Sequence, residues 1–369
     1  MTSCAPMHEA IVDLDAYRHN VSRLARLVAP AELMVMVKAN AYGHGLLPIA
    51  LAAVECGIRR IGVLDVETGL ALRRAGVGRE VTLFAWLLAP DENYREAIEA
   101  GVDLGISQVE QLHAIAACGA SEPARLHLKI DTGLHRNGAT EQEWPGLVQA
   151  ALAMQDAGTG ELYAIWTHIS EASDEDDTQA IRRFDAAIAL AERLGARPKL
   201  RHLAASAAGF SRADCRFDLV RMGAFGYGIS PGDGISPAEL GLIPALTLTA
   251  QVSTVIRRDG RNLAVVPIGH ADGVPAGAGG KLSVTIHGTV YPIVGQVQAD
   301  YFVIDLGADA ASVRAGAVVV LYGRGDRGEF TLQQWADTLD TIGEEIVVRL
   351  PPTVPRRYLG TSGSVRHSD

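Results

Sequence analysis

Eight short apolar runs, separated by helical patterns, constrain the fold of this chain more than any other feature. They fall at residues 33–37, 61–64, 81–84, 102–106, 125–130, 162–167, 199–203 and 218–221. Each has the length of a strand buried in a parallel sheet. Apolar residues at three- and four-residue spacing predict helices between most of them, over 66–75, 91–100, 108–117, 143–156 and 176–194. Gly57, Gly76, Gly101, Gly119 and Gly195 stand where helices should stop. Roughly eight strand–helix units in about 200 residues predict a (β/α)8 barrel of the TIM kind. An open doubly wound sheet is the rival. No GxGxxG follows the first strand, which weakens the dinucleotide-binding version of that rival.

A short strand at 10–14 precedes the rhythm, and a helix follows it to about Val28, with Asp15 as its expected N-cap. The rhythm ends near Gly228. Residues 229–242, rich in Gly, Pro and Ser, read as a linker. Strands are then expected at 245–257, 262–268, 281–286, 289–297, 301–306 and 317–322, with a helix at 331–339 and a last strand near 344–350. The expected division is a barrel over 9–230 and a mostly β domain of 1–8 and 240–369, which the N-terminal strand is expected to join. Two domains suit a chain of 369 residues. The polar tail 361–369 is expected to be loose.

Charge and cysteine content narrow the function. A formal net charge of -10 leaves no basic surplus for nucleic acid, and Arg356-Arg357 is too short a cluster to change that. No apolar stretch reaches membrane-spanning length, and the N-terminus lacks a signal-peptide pattern. Cys4, Cys56, Cys118 and Cys215 show neither metal-type spacing nor a paired framework. Reduced thiols in a cytoplasmic protein, with no metal site, are the simplest reading.

Polar residues at the ends of the barrel runs are the candidates for chemistry, because barrel active sites lie at the C-terminal ends of the strands. Lys38 closes the first run. An isolated lysine there more often snorkels to solvent, but a desolvated one is a Schiff-base nucleophile. Lys129, Asp131 and Arg136 close the fifth run, Thr167 and His168 the sixth, His202 and Ser206 the seventh, Arg221 and Gly223 the eighth. Each has an ordinary structural explanation alone. Their convergence on one rim is harder to explain that way.

Leu33-Met34-Val35-Met36-Val37-Lys38-Ala39-Asn40-Ala41-Tyr42-Gly43-His44-Gly45 resembles the pyridoxal-phosphate signature of the alanine racemase family. The stretches His127–Gly138, Thr167-His168, Ala204–Ala208, Val220–Ala224 and Val354–Tyr358 resemble that family's further motifs in order. The resemblance implies that Lys38 carries pyridoxal 5'-phosphate as a Schiff base and serves one face of the substrate. It implies that Tyr42, Ser206, Gly223, Ala224 and Tyr358 hold the phosphate, that His168 packs on the ring and that Arg221 faces the ring nitrogen. Arg136 would bind substrate and Lys129, carbamylated in relatives, would orient it. The partners implied are a small amino-acid substrate and a second copy of the chain, in a homodimer with shared sites. A helix N-terminus at Ser206 suits an anion. An arginine that keeps its proton should leave the ring nitrogen neutral, a weak electron sink suited to quick return of a proton.

The chain departs from the family pattern at Ala205, where Asn usually precedes the serine, and in three further places. The family's second base is a tyrosine in Gly-Tyr-Ala-Asp-Gly, supplied by the neighbouring subunit; this chain has Gly269-His270-Ala271-Asp272-Gly273. Gly-Arg-Val-Cys-Met-Asp becomes Gly295-Gln296-Val297-Gln298-Ala299-Asp300, where the Ala299 backbone would still serve the substrate carboxylate beside Asp300. Gly343-Glu344-Glu345 stands where relatives often show Gly-Tyr-Glu. His270 then admits three readings. It is a working base, imidazole being a base at neutral pH. Or one face goes unserved and the enzyme cleaves a β-hydroxy amino acid, as an aldolase or lyase. Or the protein carries the cofactor without catalysis. The leading expectation is an amino-acid racemase using Lys38 and His270.

Overall fold

The computed structural model describes residues 6–232, 234–307 and 312–360; the tail 361–369 and Cys4 lie outside the described residues. The chain divides into two compact units. One contains residues 21–38 and 53–223; the other contains the described parts of 1–20, 39–52 and 224–369. Strands are numbered along the chain from β1 (His8–Asp13), which belongs to the second of these.

The first unit is a parallel barrel. Its strands are β2 (Glu32–Met36), β3 (Arg60–Leu64), β4 (Thr82–Ala85), β5 (Val102–Ile106), β6 (Ala124–Lys129), β7 (Gly160–Trp166), β8 (Leu200–His202) and β9 (Leu219–Met222). They neighbour one another in the order β8-β7-β6-β5-β4-β3-β2-β9. The Asp218 N–H donates to the Arg201 carbonyl and the Arg221 N–H to the Ala204 carbonyl, each at 3.1 Å, which ties β9 back to β8. All eight predicted runs are strands, and the predicted helices appear as Val66–Arg74, Tyr94–Glu99, Val109–Ala117, Trp144–Asp156 and Asp174–Arg193. Apolar residues fill most of the interior; β5, which carries Asp103, is buried from end to end.

The second unit adds β10 (Leu246–Gln251), β11 (Thr254–Arg258), β12 (Arg261–Val266), β13 (Ser283–Ile286), β14 (Thr289–Val294), β15 (Phe302–Gly307), β16 (Val318–Tyr322) and β17 (Arg356–Leu359). With β1 they form one sheet, ordered β11-β12-β15-β14-β13-β16-β10-β1-β17. β1 runs antiparallel to β10 and parallel to β17.

Four expectations need correction. The helix Leu14–Val28 is capped by Asp13, not Asp15: the Asp13 carboxylate accepts from the N–H groups of Asp15 and Ala16 at 2.9 and 3.0 Å. The stretch 245–257 is two strands, because β10 pairs with β1 and β16 while β11 pairs with β12. Residues 344–350 form no strand. Gly343–Val347 is helical, and the buried positions Gly343, Ile346, Val347 and Leu350 follow helical spacing. The stretch 229–242 is not a bare spacer, since Ile229 and Ser230 are buried and the Ser230 hydroxyl donates to Gln333 Oε1 at 3.1 Å.

The segment after Lys38 is a left-handed turn. Ala39, Asn40, Ala41 and Tyr42 have φ of 52, 53, 53 and 51°. This conformation costs roughly 1–2 kcal/mol per residue for side chains with a Cβ, so other contacts must hold it. The Asn40 side chain accepts from the Leu46 N–H at 2.9 Å, and the Gly45 N–H donates to the Asn40 carbonyl at 2.9 Å. His44 Nδ1 donates to the Tyr42 carbonyl at 2.7 Å. The Arg356 Nε–H donates to the Gly43 carbonyl at 3.1 Å. Burial pushes the His44 imidazole down to about 4, so it stays neutral in this role.

Gly43 has φ of 76°, and a Cβ there would lie 2.4 Å from the Val347 carbonyl oxygen. Gly57 has φ of 85° but open space around it. Gly43→Ala is therefore expected to cost about 2 kcal/mol or more, and Gly57→Ala about 1 kcal/mol. Urea denaturation of the two variants checks this; equal midpoint shifts would refute it.

Candidate active site

In the barrel unit the polar residues lie beyond or at the C-terminal ends of the strands. Lys38 follows β2, Lys129 ends β6, His168 follows β7, and Ser206 opens the short helix Ser206–Ser211 after β8. Arg221 sits within β9, with Gly223 just after it. Arg136 lies on the exposed loop after β6.

Arg221 is only 4% exposed. Its Nη1 donates to His202 Nδ1 at 2.8 Å. Its Nη2 faces the Thr167 carbonyl at 2.8 Å, the Leu203 carbonyl at 3.0 Å and His168 Nδ1 at 3.1 Å. Burial lowers its pKa to about 9, which leaves it charged at neutral pH. Burial also holds His168 well below the usual imidazole range, and the charges of Arg221, Arg136, Lys129 and Lys38 add to the effect. His168 is thus a neutral ring in a field set by four cations.

Lys129 is 1% exposed. Its ammonium donates to the Asn137 side-chain oxygen and lies 4.7 Å from the Trp166 ring centre. Burial, then Arg221 and Arg136, push its pKa down to about 7. Ser206 Oγ accepts from the Gly223 N–H at 3.0 Å, so these two residues are brought together. Ala205, at the N-cap position of that helix, offers no side-chain cap.

The second unit holds the other candidates. Tyr358, on β17, places its hydroxyl where a Cβ on Gly45 would come within 2.0 Å. Tyr42 is buried against Tyr227, ring centres 4.9 Å apart, and burial, then the charge of Glu344, raises its pKa. Ala224 begins the buried turn Ala224–Tyr227. His270 is exposed at the head of the turn His270–Asp272. Its N–H donates to the Gln298 carbonyl and the Ala271 N–H to the Ala299 carbonyl, both at 2.9 Å. Asp272 Oδ2 accepts from the Gly269 N–H at 2.9 Å. A Cβ on Gly269 would lie 2.3 Å from the Ala299 oxygen. The unusual residues at 270 and 299 therefore lie on two backbone segments hydrogen-bonded to each other. Asp300, next along, is exposed.

Sequence reasoning gave no role to His127, Asp103 or Trp166. Yet Trp166 stacks on His202 with ring centres 5.6 Å apart, and His127 Nδ1 lies 3.0 Å from His202 Nε2. The available signal was alternation: His127 and Lys129 share one face of β6, and that face is buried.

The chain matches the models of the alanine racemase N-terminal domain over residues 12–231 and the alanine racemase C-terminal domain over 251–358. It is 43% identical to the alanine racemase of Salinispora arenicola, over 95% of this chain and 98% of that protein. The crystal structure of alanine racemase from a D-cycloserine-producing Streptomyces lavendulae superposes with a TM-score of 0.93 at 38% identity, covering 98% of this chain and 99% of that one. Alanine racemase from Bartonella henselae, solved with covalently bound pyridoxal phosphate, gives 0.85 at 25% identity, covering 96% and 100%. The cleavage and carrier readings of the sequence gain nothing from these matches. The chain belongs to the alanine racemase family of pyridoxal-phosphate-dependent amino-acid racemases.

Proposed function

We propose that this protein inverts the Cα configuration of a small amino acid, with pyridoxal phosphate bound at Lys38, as a cytoplasmic homodimer that shares its active sites. The observation that carries the reading is the buried guanidinium of Arg221 at the barrel mouth, 3.1 Å from His168 Nδ1, with the charges of Lys38, Lys129 and Arg136 also acting on that ring. Such a field suits a ligand bearing a phosphate and a carboxylate. Chemical fit supports the cofactor. Lys38 supplies an amine at a strand end, Ser206 and Gly223 a paired hydroxyl and N–H, and Gly45 the room for the Tyr358 hydroxyl. Ser206, Gly223, Ala224, Tyr42 and Tyr358 would hold the phosphate.

When bound, pyridoxal phosphate supplies a conjugated ring that withdraws electron density from the substrate Cα–H bond. The protein does the rest. Arg221, which keeps its proton at neutral pH, would face the ring nitrogen of the bound cofactor as a donor only and so would leave that nitrogen neutral. The Lys38 amine takes and returns the Cα proton on one face. His270 of the partner subunit does so on the other, an imidazole in the role of a phenol. Arg136 and the Ala299 N–H orient the substrate carboxylate. Lys129 steadies Arg136, and its lowered pKa makes a free amine available for carbamylation by carbon dioxide.

Three outcomes are expected. Lys38→Ala should remain colourless after addition of pyridoxal phosphate and yield no borohydride-trapped adduct; a yellow, trappable variant would end this reading. His270→Phe should slow proton exchange from one enantiomer by about 10²-fold or more, followed as Cα deuterium uptake in deuterated water. Unchanged exchange from both enantiomers would remove His270 from the mechanism. Carbamylation needs the unprotonated amine, whose share grows as pH rises through about 7. Labelled bicarbonate should therefore enter Lys129 more at about pH 8 than at about pH 6 and not at all in Lys129→Met, as read by carbon NMR.

A further inference from the structure

The left-handed turn after Lys38 is held from outside, and the arginine that holds it has no part in the site described above. Within the turn, the carbonyls of Ala39, Asn40 and Ala41 are taken by the N–H groups of Gly43, Gly45 and His44, at 3.0, 2.9 and 3.0 Å. The next two carbonyls go to side chains. His44 Nδ1 donates to the Tyr42 carbonyl at 2.7 Å, and Arg356 Nε to the Gly43 carbonyl at 3.1 Å. The rest of that guanidinium serves the segment before β17. Its Nη1 donates to the Pro351 carbonyl and, at 2.6 Å, to that of Val354, while Nη2 donates to the Leu350 carbonyl at 2.9 Å. One half-buried cation thus joins carbonyls from two stretches far apart in the sequence.

Position on β17 gives this hold its consequence. Arg356 and Tyr358 are two residues apart on one strand and share its more buried face, while Arg357 between them turns outward to Glu9. Arg356 meets the turn at Gly43. The Tyr358 hydroxyl meets it at Gly45, where a Cβ would come within 2.0 Å of that oxygen. Tyr42, at φ 51°, comes immediately before the clasped residue. A left-handed residue with a Cβ is disfavoured, so a run of them relaxes when its outer contacts are lost. Loss of the clasp would therefore change how Tyr42 stands relative to Tyr358.

We propose that Arg356 is a positioning residue for the phosphate end of the cofactor: by tying the Gly43 carbonyl to the segment that leads into β17, it sets the separation of Tyr42 and Tyr358. The inference rests on the reading that these two tyrosines hold the phosphate. The fork matters here, and not the charge alone. A guanidinium offers five N–H donors in one plane, whereas a lysine ammonium has three on a flexible stem and cannot serve the same four carbonyls.

The test compares dissociation constants of pyridoxal phosphate and of 5'-deoxypyridoxal, which keeps the ring and aldehyde without the phosphate. Both are titrated into the full chain freed of cofactor, as wild type, Arg356→Lys, Arg356→Gln and Arg357→Gln. Wild type should favour pyridoxal phosphate. Both Arg356 variants should lose about tenfold of that preference, with the affinity for 5'-deoxypyridoxal within about twofold of wild type. Arg357→Gln, which removes an equal charge from the outer face of the strand, should keep the wild-type preference. An Arg356→Lys protein that also keeps it would overturn the proposal, because charge would then suffice. Equal weakening of both ligands would overturn it as well, since a purely structural loss has that signature. Should both Arg356 variants fail to fold, the wild type decides. Coupling between phosphate and clasp is reciprocal, so pyridoxal phosphate should slow exchange of the Arg356 Nε–H with water more than 5'-deoxypyridoxal does. Equal slowing by the two would overturn the proposal. A wild type that binds both ligands equally would instead overturn the phosphate roles of Tyr42 and Tyr358, and one that binds neither the function proposed for Lys38; the proposal falls with either.

Discussion

A charged guanidinium buried inside a barrel must be solvated by the protein, and Arg221 decides much of what surrounds it. An uncompensated buried ion costs several kcal/mol. The compensation comes from the ends of the strands. Thr167 lies just past β7 and Leu203 just past β8, where the parallel ladder has stopped and carbonyls are free to accept. Mid-strand carbonyls in a closed barrel are already engaged by neighbours. The place where a parallel barrel can best house a buried cation is therefore its C-terminal mouth, the end at which barrels also carry their chemistry. Here the fold's backbone accounting and the placement of the site are one constraint.

The same mouth is crowded with positive charge. Lys129 responds by becoming a weak ammonium, and His168 by remaining neutral. Glu171 lies near enough to act on Arg221, and its own pKa is raised by burial. Its carboxylate also accepts from the Ala208 N–H at 2.8 Å. Mutual repulsion among cations destabilises this region until an anion arrives. An anionic ligand at this mouth would relieve that repulsion.

Long apolar runs carried the barrel legibly, because a strand buried on both faces leaves no polar alternation to confuse the reading. The β unit was harder. Ile346-Val347-Val348 looks like a strand by its β-branched content, yet tertiary packing of Ile346 and Val347 on one side imposes a helix. Asp13 ends a strand and caps a helix at once, whereas pattern reading assigned the cap to Asp15. Lys38, His168 and Arg221 were visible because charged or titratable residues stood where apolar ones were due. Asp103 and His127 broke their runs in the same way. Their partners lie on other strands, 22 to 75 residues away in sequence, and only pairing in space reveals the line they form.

Two of the departures from the family pattern also make sense only in space. His270 replaces a tyrosine and Ala299 replaces a methionine, and both changes remove volume. The N–H groups of residues 270 and 271 bond to the carbonyls of 298 and 299, and Gly269 lies flat on the Ala299 oxygen. Neither position can shift without carrying the other along. Asp272 accepts from the Gly269 N–H as well, which keeps the turn closed against that segment.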